Sequence, residues 1–212
     1  MTTAGSTKIK RIYEALLCTF GLGVFSFFIH FSFPYRLLSF AGLILTAFFM
    51  SRQWSNFKKT LFTKKFTFRN AFAILVAIIF GALIAFLYRN SLRIPLLLNS
   101  LHIFAVIAAL IGIFEEIVFR GFIQGRLKEV NIIFSIFFGS FSHTVYKCCL
   151  FLSPVMLGKI DIFFLAFWTF SCGLLFGVLK QYSRSTIPPA IAHALFDILV
   201  YGQCLSAPWW VW

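Results

Sequence analysis

The chain has 212 residues, 60% of them hydrophobic and only 12% charged, against about 25% charged in an ordinary soluble domain. Its net charge of +13 would suit a nucleic-acid partner, but the 19 Lys and Arg residues gather beside apolar runs, where they read as topology signals and not as a nucleic-acid surface. Composition thus excludes a water-soluble globular domain and predicts an all-α, polytopic transmembrane helix bundle.

Lys8, Lys10 and Arg11 precede an apolar run from Tyr13 in the order of a secretory signal. No small-x-small cleavage site follows, so the run counts as a first span. Apolar runs between charged or proline-containing breaks predict spans at 13–31, 35–50, 70–88, 101–126, 131–153, 160–180 and 187–201. That is about seven, or six to eight, because the second and last are short enough to be tilted or re-entrant. The segment 51–69 holds Arg52, Lys58, Lys59, Lys64, Lys65 and Arg69 with no acid, which marks a cytoplasmic loop. With alternating spans, Lys8, Lys10, Arg11, Arg126, Lys128, Lys180 and Arg184 fall on the same side. Arg36, Arg89, Arg93 and Lys159 fall in outer turns, and Arg120 and Lys147 lie within helices. The N-terminus is therefore expected in the cytoplasm, with the protein in an inner or plasma membrane. The closing Pro208-Trp209-Trp210-Val211-Trp212 reads as an aromatic belt at the outer interface.

The expected organisation is one membrane domain: N-terminal helices over 1–100, then a core over 101–205. Cys18, Cys148, Cys149, Cys172 and Cys204 show no C-x-x-C pair or metal-ligand spacing and read as small hydrophobes. Gly121 with Gly125, and Gly173 with Gly177, are small-xxx-small pairs that bring helix backbones close within one bundle.

There are six acids. Glu14, Glu129 and Asp161 are expected at helix ends, whereas Glu115, Glu116 and Asp197 lie inside apolar spans. A central Asp costs ~3 kcal/mol on insertion scales, so such groups normally face a cavity and have partners. In Glu115-Glu116-Ile117-Val118-Phe119-Arg120-Gly121, Glu116 and Arg120 are four apart and share a helix face. Glu115 is turned about 100° away, free to serve as a general base. His193 and Asp197 form a second pair at the same spacing, after Pro188-Pro189 at a helix start. His143 is isolated in an apolar span and alone reads equally as a core histidine. At 1.5 Å per residue, Glu115 lies ~16 Å above Arg126, His143 ~18 Å above Asn131 and Asp197 ~14 Å above Pro188. One pocket opening to the cytoplasm can therefore hold all three. His30 and His102 fall near outer ends.

Glu-Glu-Ile-Val-Phe-Arg-Gly and the run Ile187 to Asp197, ending His-Ala-Leu-Phe-Asp, resemble the EExxxR and HxxxN/D motifs of the CAAX-protease and bacteriocin-processing (CPBP) family. The resemblance spans roughly Ile111 to Tyr201. The intermediate FxxxH motif departs, since Gly139 stands four before His143, flanked by Phe138 and Phe141; the departure bears on the packing and register of His143. The resemblance implies that Glu115 and His143 activate water, that His193 and Asp197 stabilise the oxyanion, and that Glu116 and Arg120 position the helix or the substrate. It implies an intramembrane endopeptidase, Glu115 and His143 activating water, that acts on a membrane-associated peptide of prenylated or bacteriocin-like kind. Many members are called metalloproteases, and Glu115, His143, His193 and Asp197 could form a zinc set. H-E-x-x-H is absent, which favours a mechanism needing no cofactor. The alternatives are a proton-coupled transporter, since buried Glu and His chains also relay protons, and a non-catalytic immunity or scaffold protein.

Overall fold

The computed structural model describes residues 3–52, 67–95, 97–155 and 161–206. Most of the basic segment 51–69, Lys159 and the tryptophans at 209, 210 and 212 lie outside the described residues. Among the described residues all regular structure is helical: α1 (Thr3–Phe28), α2 (Arg36–Arg52), α3 (Phe68–Ser91), α4 (Ile103–Glu116), α5 (Ile132–Leu152), α6 (Ile162–Ser183) and α7 (Ile187–Tyr201). At Ile117, α4 passes without a break into a π-helical stretch, Ile117–Gln124, and ends on the turn Gly125–Leu127.

Local chemistry sets several boundaries. Asn131 and Asp161 cap α5 and α6, their side chains accepting from the backbone N–H of Phe134 and Phe164. Pro188 and Pro189 open α7, where a missing N–H is harmless.

Four stretches are long and apolar enough to cross a membrane: Thr7–Phe28, Phe68–Ser91, Ile132–Leu152 and Ile162–Ser183. The chain is a multi-pass membrane protein. Its outer faces are apolar, with Ile44, Leu75, Ile79, Phe163 and Phe167 exposed, while Glu115, Glu116, Arg120, His143 and Asp197 are buried. Polar groups turned inward and hydrocarbon turned outward are what a lipid solvent selects.

Lipid gives helices no hydrophobic reason to associate, so close packing and interhelical hydrogen bonds hold the bundle. A Cβ added at Gly81 of α3 would lie 2.6 Å from the carbonyl oxygen of Ala192 in α7. Thr19 of α1 and Ser142 of α5 share a hydrogen bond of 2.6 Å. The N-terminal helices therefore pack directly on those that carry His143 and His193.

Two charged residues lie elsewhere than their sequence positions suggest. Because α1 begins at Thr3, Glu14 is inside the helix and not at its end; it is buried and ion-paired with Arg126. Arg89 does not occupy an outer turn. It belongs to the end of α3, is 1% exposed, and donates from Nη1 to the carbonyl oxygens of Leu199 (2.7 Å) and Val200 (3.2 Å). A cation there satisfies the last carbonyls of α7 and suits the negative end of its dipole.

Candidate active site

The six residues singled out from the sequence meet where α4 and its π-helical continuation, α5 and α7 converge. All are buried. Glu115 and Glu116 close α4, Arg120 lies in the π-helical stretch, His143 comes from α5, and His193 and Asp197 come from α7. π-Turns within α-helices are rare and gather at functional sites.

Glu115 accepts hydrogen bonds on both oxygens. Lys147 Nζ donates to Oε1 at 2.6 Å and His143 Nε2 to Oε2 at 3.0 Å. Arg120 Nη1 lies 3.1 Å from His143 Nδ1. A guanidinium can only donate, so Nδ1 must accept and the proton of neutral His143 sits on Nε2, facing Glu115. Neighbouring helices thereby set the tautomer.

His193 has the opposite arrangement. Its Nδ1 donates to Glu116 Oε1 at 3.0 Å, which leaves Nε2 turned to Glu115 Oε2 and Asp197 Oδ2, each 3.8 Å away. A direct hydrogen bond does not span these distances. Glu116 also pairs with Arg120, Nε to Oε2 at 3.3 Å, so it ties the π-helical stretch to α7. Both sequence pairs at i, i+4 are within ion-pair distance, Glu116 and Arg120 at 3.3 Å and His193 and Asp197 at 3.8 Å. His30 is exposed and His102 precedes α4; neither enters the site.

Small residues make the room. A Cβ at Gly112, one turn above Glu116, would strike Asp197 Oδ2 and lie 2.9 Å from His193 Cδ2. At Gly173 of α6 it would lie 3.1 Å from Arg120 Nη2. Gly139 has the same role: its Cβ would lie 3.2 Å from Gln124 Cβ and 3.4 Å from the Phe119 carbonyl oxygen, so α5 touches the π-helical stretch there. The aromatic neighbour of His143 comes from that stretch, since the Phe119 ring stacks on the imidazole at 4.5 Å and 23°.

Sequence reasoning passed over Lys147. It follows His143 by four residues, the spacing that flagged the two other pairs, and that was the available signal.

Two cavities meet at Lys147, His193 and Asp197. One is otherwise lined mainly by Ile84, Tyr88, Leu165, Trp168, Phe176 and Phe196. The other is bounded by Phe104, Ala108, Ile111 and Tyr201. Their walls are apolar and their junction is polar, the usual build of a pocket for an apolar ligand with a polar reacting group.

A zinc ion does not fit these donors. A ligating histidine offers one nitrogen lone pair to the metal and usually donates from the other nitrogen to an acceptor. His143 presents its proton on Nε2 toward Glu115, while Nδ1 is engaged by a guanidinium. The Lys147 ammonium already sits on Glu115.

Residues 97–199 match the family model described as type II CAAX prenyl endopeptidase, Rce1-like. No curated protein and no solved structure matches the chain. The matched region contains all six candidate residues and Lys147, and the buried Glu and His cluster is consistent with that family. Residues 97–199 thus carry an Rce1-like domain of the type II CAAX prenyl endopeptidase family, a family of peptide-bond hydrolases.

Proposed function

We propose that the protein is an intramembrane endopeptidase that hydrolyses a peptide bond of a membrane-associated peptide, with Glu115 as the general base. The observation that carries this reading is the buried Glu115 carboxylate, held on both oxygens and facing His193 Nε2 across 3.8 Å at the junction of two apolar cavities. Water between them loses a proton to Glu115 as its oxygen bonds to the scissile carbonyl carbon. The carbonyl oxygen that becomes negative is stabilised by hydrogen-bond donation from the protonated His193 and Asp197 pair. The proton on Glu115 then passes to the leaving nitrogen as the C–N bond breaks, giving a new carboxyl terminus and a free amine.

His143 acts through Glu115 in this scheme. Its Nε2–H orients the carboxylate, and it takes no proton from water at that nitrogen. Arg120 and Glu116 hold the two histidines, each from the Nδ1 side, and are positioning residues. No metal or other cofactor is needed. The apolar side chains lining the first cavity, Trp168, Phe176 and Phe196 among them, suit a prenyl chain or bulky apolar side chains beside the scissile bond. Helices of residues 1–100 brace the core of residues 101–205 in one domain of about seven crossings, with the N-terminus in the cytoplasm of a cell whose inner or plasma membrane it spans.

The test is cleavage of membrane-anchored and prenylated peptides by the protein purified in detergent. Wild type cleaves and keeps its rate in strong chelators, whereas Glu115→Gln, which cannot accept the proton, has lost cleavage. A wild type that cleaves nothing in the library, or a Glu115→Gln variant at full rate, refutes the proposal and favours a non-catalytic role. Loss of activity on zinc removal, restored by zinc, would refute the metal-free form.

A further inference from the structure

We propose that Lys147 is a positioning residue of the hydrolytic site: its ammonium keeps Glu115 an ionised and correctly aimed base inside the membrane. The inference rests on the reading of Glu115 as the base. Three observations point to it.

The first is direction. Lys147 lies near the far end of α5, where a lysine in a membrane helix ordinarily extends toward the headgroups. This one is 5% exposed and donates to Glu115 Oε1 at 2.6 Å, one helix away. Side chains on a helix lean toward its N-terminus, so the stem descends over the turn that carries His143. Both groups that hold Glu115 therefore come from one face of α5 and move with it.

The second is charge. The buried cluster contains the carboxyl groups of Glu115, Glu116 and Asp197 and the fixed cations Arg120 and Lys147. With both cations present, a single proton on the His193 and Asp197 pair makes the cluster neutral. Glu115 can then stay ionised while the opposite side keeps the proton it must donate. Without Lys147 a second proton is needed for neutrality, and Glu115 is among the groups that would take it. A protonated Glu115 is no base.

The third is location. Lys147, His193 and Asp197 are shared by both cavities, so Lys147 stands where the chain of a bound peptide passes from one to the other. With Oε1 held by Lys147, the lone pair left on Oε2 faces His193 and the place of the attacking water.

The experiment compares wild type, Lys147→Met and Lys147→Arg in detergent, measuring kcat, KM and thermal stability. Lys147→Met is expected to lower kcat by about 10²-fold, the lower end of what a positioned base contributes, with KM changed less than about threefold. Lys147→Arg, which keeps the charge, restores most of the rate. Lys147→Met also lowers the melting temperature, and Glu115→Gln in the same chain brings it back, since the pair is then replaced by two neutral groups. The coupling can be read without turnover. Retention of kcat in Lys147→Met, a defect confined to KM, equal defects in Lys147→Met and Lys147→Arg, or no recovery of stability in the double variant each overturn the proposal. An active wild type with inactive Glu115→Gln and fully active Lys147→Met removes Lys147 alone. A wild type that cleaves nothing removes the protease reading and this proposal with it.

Discussion

Putting phenylalanine at position 139 would restore the FxxxH pattern, yet the structure predicts damage. A Cβ at Gly139 would already lie 3.2 Å from Gln124 Cβ and 3.4 Å from the Phe119 carbonyl oxygen. Neither neighbour is the free end of a flexible side chain. Gly139→Ala is expected to be nearly neutral, because about 0.5–1 kcal/mol gained from replacing a helical glycine offsets a squeeze of a few tenths of an ångström. Gly139→Phe must push α5 from the π-helical stretch or force the ring off its rotamer, and overpacking of that kind costs about 1–3 kcal/mol. At roughly 2–4 °C per kcal/mol for a chain of this size, the melting temperature in detergent falls by about 2–12 °C. Activity falls further than stability, since α5 carries both His143 and Lys147. Phe119→Ala, which removes the ring stacked on His143, is expected to cost about 3–5 kcal/mol. A Gly139→Phe variant with the stability and activity of wild type would refute the reasoning, because it would mean that α5 and the π-helical stretch are not in contact.

Three other outcomes test separate parts of the account. Glu116→Gln leaves the fully buried Arg120 without its carboxylate and should cost about 3–5 kcal/mol, as broken buried pairs do; a thermal shift under about 3 °C would contradict that. Gly112→Ala, whose methyl would meet Asp197 and His193, should abolish cleavage in protein that still elutes as a folded species, and unchanged turnover would show that those side chains have room to retreat. For topology, a cysteine introduced at Ser55 should be protected from an impermeant thiol reagent in intact cells and one at Ser91 labelled; the reverse pattern would invert the orientation.

The sequence alone determined the helical elements and the cast of residues. Each predicted span has a helix among the described residues, from 13–31 against Thr3–Phe28 to 187–201 against Ile187–Tyr201, because apolar length is a property of the chain read locally. Glu115, Glu116, Arg120, His143, His193 and Asp197 stood out because ionisable groups inside apolar runs are expensive, and their common height followed from the helical rise. Spacing along one helix could also place Glu116 beside Arg120.

Only the tertiary structure decided who meets whom across helices. Arg120 reaches His143 as well as Glu116, His193 turns its Nδ1 to Glu116 and not to Asp197, and Lys147 bends inward to Glu115. Glu14 and Arg126 pair, and Arg89 caps α7. These partnerships depend on the rotation and separation of neighbouring helices, which are set where a neighbouring backbone closes on Gly81 and Gly139 and side chains close on Gly112 and Gly173. They depend also on the π-helical stretch after Glu116, which changes the face that Arg120 presents. The periodicity of one segment carries no record of the depth and angle at which a neighbour crosses it, so the glycines could be read as sites of close approach, but not as the contacts that aim each histidine.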